Sequence, residues 1–132
     1  MGKQIADSRF GTSKRLLNAN DYKRVFDKPD ARASHRHLLL LGRYNGLNTH
    51  RLGLVIAKKH VRLAVQRNRI KRLAREFFRI LPASDASMDV VLLARRNMDQ
   101  LDNAELSSIL QHQWQRLVDV SARTSTQSHQ DS

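Results

Sequence analysis

The sequence has no cysteine, so disulfides, thiolate metal sites and cysteine nucleophiles are excluded at once. Its two prolines and five glycines form neither a GxxxxGK[ST] nor a GxGxxG loop, so the backbone cradle used for nucleotide phosphates is missing. No GxSxG element occurs, and no carboxylates cluster as a two-metal nuclease site requires. Asp85 and Asp89, in a loop-to-strand stretch, are read as a turn pair. The six histidines show no HxxxH or HExxH spacing. His35 and His37, on one side of a predicted strand, are read as solvated or phosphate-facing. No catalytic side chain and no tightly bound metal are therefore expected on the protein. No apolar run approaches the ~18 residues of a membrane span, and MGKQIADSRF lacks a signal-peptide core, so a cytoplasmic address is expected.

Acids are scarce as well: 12 Asp plus Glu against 24 Lys plus Arg leave a formal charge of +12. Such a field repels itself unless a polyanion meets it, which makes nucleic acid the first partner class and an anionic membrane the second. At 132 residues the chain is long enough for one hydrophobic core and too short for two. Residues 1–12 read as a flexible basic arm, 13–118 as a single α/β domain, and 119–132 as a disordered polar tail.

Within the domain, NANDYKRVFDKP predicts a short helix capped by Asn20, with Tyr22, Val25 and Phe26 at helical spacing and Pro29 ending it. HRHLLLLGRY and HRLGLVIAKK, separated by an Asn45-Gly46 turn signal, predict two antiparallel strands. Gly53 marks a bulge or close packing in the second. The main helix is expected from Val61 or Ala64 to Leu81, stopped by Pro82, and MDVVLLAR is a buried strand. Asp102 and Glu105 form a capping box for a last helix whose apolar face is Leu106, Ile109, Leu110, Trp114 and Leu117. The order α-β-β-(β)-α-β-α describes an α/β (α+β) two-layer sandwich with one central sheet.

The main helix carries the loudest local signal. At about 100° per residue, Ile70, Leu73, Ala74, Phe77, Phe78 and Leu81 share one stripe, while Asn68, Lys71, Arg72, Arg75 and Arg79 face away. From Lys58 to Arg79 there are nine Lys or Arg and a single acid, Glu76. Arg67, Lys71 and Arg75 are like charges at i,i+4, and Arg67 and Arg69 sit near the positive end of the helix dipole. A face that destabilises its own helix is best explained by an anionic partner. Arginine predominates, and its planar fork suits phosphate and base contact in structured RNA. Asn68 is either a hydrogen-bonding contact between two arginines or an N-terminal cap. Tyr22 and Phe26 either stack unpaired bases beside a basic groove or belong to the core.

AVQRNRIKRLARE, with Arg67, Asn68 and Arg69 at its centre, resembles the signature helix of the bacterial ribonuclease P protein-subunit family. GLVIAKKHVRLA before it, RLLNANDYKRVF at the start, and DVVLLAR and LDNAELSSIL further on extend the resemblance from Phe10 to Leu117. The resemblance implies a ribonucleoprotein subunit that assists removal of the 5′ leader from precursor tRNA, with the catalytic centre and its Mg²⁺ in the RNA subunit. It implies an RNA-contacting set of Lys58, Lys59, Arg62, Arg67, Asn68, Arg69, Lys71, Arg72 and Arg75, and a leader cleft with Tyr22 and Phe26. It also implies a left-handed βαβ crossover, as in ribosomal-protein-like sandwiches, where the general rule gives a right-handed one. Some relatives carry an aromatic where this chain has Leu38 to Leu41. A structural RNA-binding or assembly protein is the alternative reading, and a protein-only nuclease a remote third.

Overall fold

The computed structural model describes Arg15, residues 18–81 and residues 87–131, with side chains as far as 122. The expected arm at 1–12 lies outside the described residues, as does Asp85. Helix α1 (Ala19–Asp27) is capped by Asn18 rather than Asn20: Asn18 is extended, and its side-chain oxygen accepts the Asp21 N–H at 3.0 Å. Both asparagines have capping chemistry; with Asn18 as the cap, Asp21 is the third helical residue, whose otherwise unpaired N–H the cap side chain accepts and whose carboxylate still meets the favourable end of the helix dipole.

Four strands follow in a sheet of order β1-β2-β4-β3: β1 (Ala31–Ser34), β2 (Leu38–Tyr44), β3 (Arg51–Val55) and β4 (Met88–Ala94). β2 pairs antiparallel with both β1 and β4, and β3 pairs parallel with β4. The expected pairing of β2 with β3 is therefore corrected: they run in opposite directions but β4 lies between them. Burial explains the order. β2 and β4 are apolar on both faces over most of their seven residues and take the centre, whereas the shorter, partly exposed β3 takes an edge. The third strand before the main helix, allowed but not assigned from sequence, is the four-residue β1. The Asn45-Gly46 signal marks a real turn, with Gly46 at φ +70° inside a longer connection.

Alternation along β2 and β4 divides the core. Leu38, Leu40, Val90 and Leu92 face α2 (Ala64–Arg79) and α3 (Asn103–Asp131), while Leu39, Leu41 and Val91 pack with Val25 of α1 on the other face. The sandwich of sheet and two helices is thus joined by α1 on the second face. α2 begins at Ala64, and Val61 is buried in the turn leading into it. Ile70, Ala74 and Phe78 are buried beneath α2, with Leu73, Phe77 and Leu81 at the margin of the same core. The capping box forms as read: Glu105 Oε1 accepts from the Asp102 N–H at 3.0 Å, and Asp102 Oδ1 accepts from the Glu105 N–H at 2.8 Å.

Leu117 of α3 packs over Gly42 of β2, where an added Cβ would stand 3.0 Å from Met88 Sδ and 3.1 Å from Leu117 Cδ2. The expected disordered tail from 119 is helix as far as Asp131, and Ser121 is buried with its hydroxyl bonded to that of Tyr44. Leu117 and Ser121, four apart, carry the packed face one turn beyond the expected boundary at 118.

Candidate nucleic-acid interface

The polar side of α2 is not one uniform face. Arg67 donates to the Val61 and Arg62 carbonyls at 3.1 and 2.8 Å, fastening the loop that leads into its own helix. Arg69 donates to Gln66 Oε1 at 2.8 Å, to Asn103 Oδ1 at 2.7 Å and to the Leu101 carbonyl at 2.8 Å, joining the start of α2 to the start of α3. Acceptors within the chain give these two arginines a structural role, but every one of them is a neutral oxygen and leaves the positive charge in place. Asn68 stands exposed between them, and the N-cap is Leu63, which leaves the alternative of Asn68 as a cap without support. Arg79 pairs with Glu76.

Lys71 and Arg75 turn to the other flank, toward the open edge of β3. There they line a cleft of about 110 Å³ with Arg15, Tyr22, Leu52 and Leu54. The cleft lies at the edge strand between α1 and α2, which cover opposite faces of the sheet, and Tyr22 reaches across to β3. Tyr22 is fixed across it: its hydroxyl accepts the Leu54 N–H at 3.2 Å. Arg15, a residue the sequence reading passed over, bridges Leu52 through its backbone; nothing around it in the sequence sets it apart from other basic positions. The lining holds three cations and no acid. Burial, and then the charge of Arg15, push the Arg75 guanidinium below its usual pKa, although it stays protonated at neutral pH. Phe26 is not part of this lining; it lies one turn along α1 and is 42% exposed.

Lys58, Lys59 and Arg62 are exposed in the β3–α2 connection, a turn closed by the His60 and Val61 N–H groups donating to the Ala57 carbonyl at 3.0 Å each. Arg72 is exposed on the flank opposite the Tyr22 cleft, where with Arg69, Leu73, Phe77 and Ile80 it borders a mainly apolar hollow of about 440 Å³ against α3. The expected set is therefore spread over three places: the loop, the edge cleft and the α3 flank.

Asp89 overturns its reading as a turn residue. It is 3% exposed within β4 and takes a two-pronged bond from Arg51 of β3, Nε to Oδ1 at 2.7 Å and the guanidinium nitrogen to Oδ2 at 2.6 Å. Asn45 adds a third donor at 2.9 Å, and Asp21 of α1 approaches Arg51 at 3.7 Å. This group ties the first turn of α1, and hence Tyr22, to the edge of the sheet. His35 and His37 lie in the β1–β2 turn and not on a strand, because the pairing of Ser34 with Leu39 closes the hairpin around them. Among the described residues no three His, Asp or Glu side chains are grouped to hold a metal ion.

The Ribonuclease P family model matches residues 10–118. The chain is 48% identical over 115 residues to the ribonuclease P protein component of Pseudomonas paraeruginosa, covering 87% of this chain and 85% of that one. It is 48% identical over 109 residues to that of Azotobacter vinelandii, covering 83% and 84%. The solved RNase P protein of Thermotoga maritima, in complex with 1-(4-fluorophenyl)-2-thiourea, superposes with a TM-score of 0.63 at 27% identity over 75% of this chain and 96% of that one. The Staphylococcus aureus RNase P protein shares the fold, with a TM-score of 0.68 at 24% identity over 77% and 93%. The chain belongs to the ribonuclease P protein-component family.

Proposed function

We propose that this chain serves the ribonuclease P holoenzyme by engaging two RNAs: the catalytic RNA, and the unpaired 5′ leader of precursor tRNA. The observation that carries this reading is the edge cleft, in which Tyr22 stands among Arg15, Lys71 and Arg75 with no carboxylate in the lining. A ring face held at a fixed height beside three cations is what a single strand needs, since bases stack on the ring at about 1 to 3 kcal/mol each while the backbone is neutralised alongside. Phe26, exposed one turn on, extends the stacking surface beyond the cleft. Lys58, Lys59, Arg62, Asn68 and Arg72 face the catalytic RNA, and Arg67 and Arg69 shape that surface by holding the loop and α3 in place.

In this mechanism the side chains supply no acid, base or nucleophile. Lys71 and Arg75 offset repulsion between leader phosphates and the catalytic RNA, so substrate binds more tightly and less Mg²⁺ is needed for it. The Mg²⁺ at the reacting phosphate belongs to the RNA. Reconstitution of cleavage with the cognate RNA subunit at low Mg²⁺ tests the proposal: the protein is expected to stimulate removal of the leader. Tyr22→Ala is expected to weaken holoenzyme binding to leader-bearing precursor far more than to mature tRNA. RNA binding without stimulation would make this a structural RNA-binding protein.

A further inference from the structure

We propose that the β1–β2 turn, His35–His37, is a second, pre-shaped contact for RNA phosphates, an inference that rests on the RNA-binding reading above. The turn is short and heavily fastened. Arg95 donates to Ser34 Oγ at 2.8 Å and to the His35 carbonyl at 2.9 Å, and Arg116 of α3 donates to the Ser34 carbonyl at 3.1 Å. The His37 N–H donates to His35 Nδ1 at 3.1 Å. His37 Nδ1 in turn lies 2.9 Å from the Arg96 carbonyl; a carbonyl only accepts, so that nitrogen carries the proton.

These bonds hold positive groups close together. Burial and then His37, Arg36, Arg116 and His112 all lower the pKa of His35, and no acid is among the charges acting on it. Arg36 projects exposed from the apex, and no acceptor among the described residues takes its guanidinium. Its charge therefore adds repulsion and contributes nothing to the fold, unlike the charges of Arg67 and Arg69.

Register shows what the turn adjoins. Leu38 pairs with Ala94, and Val55 with Leu93, so the turn, the exit of β4 and the Lys58–Lys59 loop all leave the same end of the sheet. The three connections there, 35–37, 56–63 and 95–102, hold six Lys or Arg and two Asp. At the opposite end, residues 28–30 and 45–50 hold one Lys and one Asp. With strands about 5 Å apart, the cationic end spans about 10 to 15 Å, a length matched by a phosphodiester backbone and not by a single carboxylate.

The test uses the full chain reconstituted with its cognate RNA subunit, comparing wild type with Arg36→Ala, Arg36→Glu and, from the opposite end, Lys28→Ala. Affinities are measured across a salt series for the RNA subunit, and for the holoenzyme with leader-bearing and leaderless precursor. Arg36→Ala is expected to weaken binding about 2- to 5-fold and to make the log-log salt slope shallower by about 1. Arg36→Glu is expected to weaken it further, and Lys28→Ala to leave it unchanged. Thermal midpoints should not fall below wild type, since the Arg36 side chain holds nothing and its charge only repels. A loss toward the RNA subunit places the turn on that RNA, and a loss toward precursor alone places it on substrate; either supports the proposal. Unchanged affinity and slope in Arg36→Glu, while wild type binds RNA and stimulates cleavage, would overturn the turn contact alone. If wild type binds RNA without stimulating cleavage, the ribonuclease P role falls and the turn is still judged by the affinities. Failure of wild type to bind RNA would overturn both.

Discussion

The Arg69 guanidinium donates to the Asn103 side chain and the Leu101 carbonyl, so its removal detaches the start of α2 from the start of α3. Arg69→Ala is expected to lower the unfolding free energy by about 1.5 to 3 kcal/mol, the range for charged hydrogen bonds. Asn68→Ala, next to it and exposed, should stay within about 0.5 kcal/mol of wild type and weaken binding to the RNA subunit. Urea denaturation paired with RNA titration checks both; equal stability losses would deny the division of labour. His50 supplies a pH handle. Its Nδ1 accepts the Met88 N–H at 3.0 Å, its ring stands edge-on to Trp114, and burial lowers its pKa from 6.5. The unfolded chain therefore binds the His50 proton more readily, so stability should fall as pH drops through 6.5 toward the lower folded value. A thermal midpoint that declines from about pH 7.5 to 5.5 in wild type, and less steeply in His50→Gln, is the expected outcome. His35, shifted the same way, leaves a residual slope in that variant. The roles of Arg69 and of Asp89, which holds Arg51, were not legible from sequence. Arg69 looked like its neighbours, and Asp89 looked like a turn residue, because the acceptors and cations that decide their roles come from other elements.

At the scale of the element, α2 and α3 begin in opposite ways. α3 has its reciprocal capping box, whereas the N-cap of α2 is Leu63, 56% exposed and without a side-chain bond to the helix. Leu63→Ser is expected to raise the unfolding free energy by about 0.5 to 1 kcal/mol, since capping is gained and little burial is lost. An acidic cap at the same place should stabilise the helix and oppose nearby phosphates, so Leu63→Asp is expected to raise the thermal midpoint while weakening RNA affinity. A variant that improves both would show that this helix end does not approach RNA. The elements themselves were readable where one rule dominates: the capping box, the helical stripe under α2 and the apolar β4 run all form. Strand pairing was not, because β2 and β3 are neighbours in sequence and nothing local announces that a later strand enters between them. The double-sided burial of the LLLL run was the available clue, since a strand apolar on both faces belongs in a sheet's interior.

For the molecule as a whole, a formal charge of +12 predicts polyanion binding, but the structure determines how much of that charge is available. Arg67 and Arg69 donate to the chain itself, and Arg79 is paired with Glu76, leaving Lys58, Lys59, Arg62, Lys71, Arg72 and Arg75 as the basic positions of the expected surface not visibly engaged in this way. With Lys71 and Arg75 assigned to the leader, the four positions left for the RNA subunit give a log-log salt slope of about −3 on single strands and about −4 on duplex RNA treated like B-DNA. Counting every basic residue from Lys58 to Arg79 would instead give a slope near −8 on duplex. A titration of the RNA subunit from about 50 to 300 mM monovalent salt separates these cases. A slope near −8 would mean that the internal bonds of Arg67, Arg69 and Arg79 open to meet RNA, and one shallower than about −2 would leave most of this face turned to solvent. Lys71→Ala and Arg75→Ala should each make the slope shallower by about 1 when leader-bearing precursor is the ligand, and by less with mature tRNA. That difference ties the edge cleft to the leader independently of any loss in overall affinity.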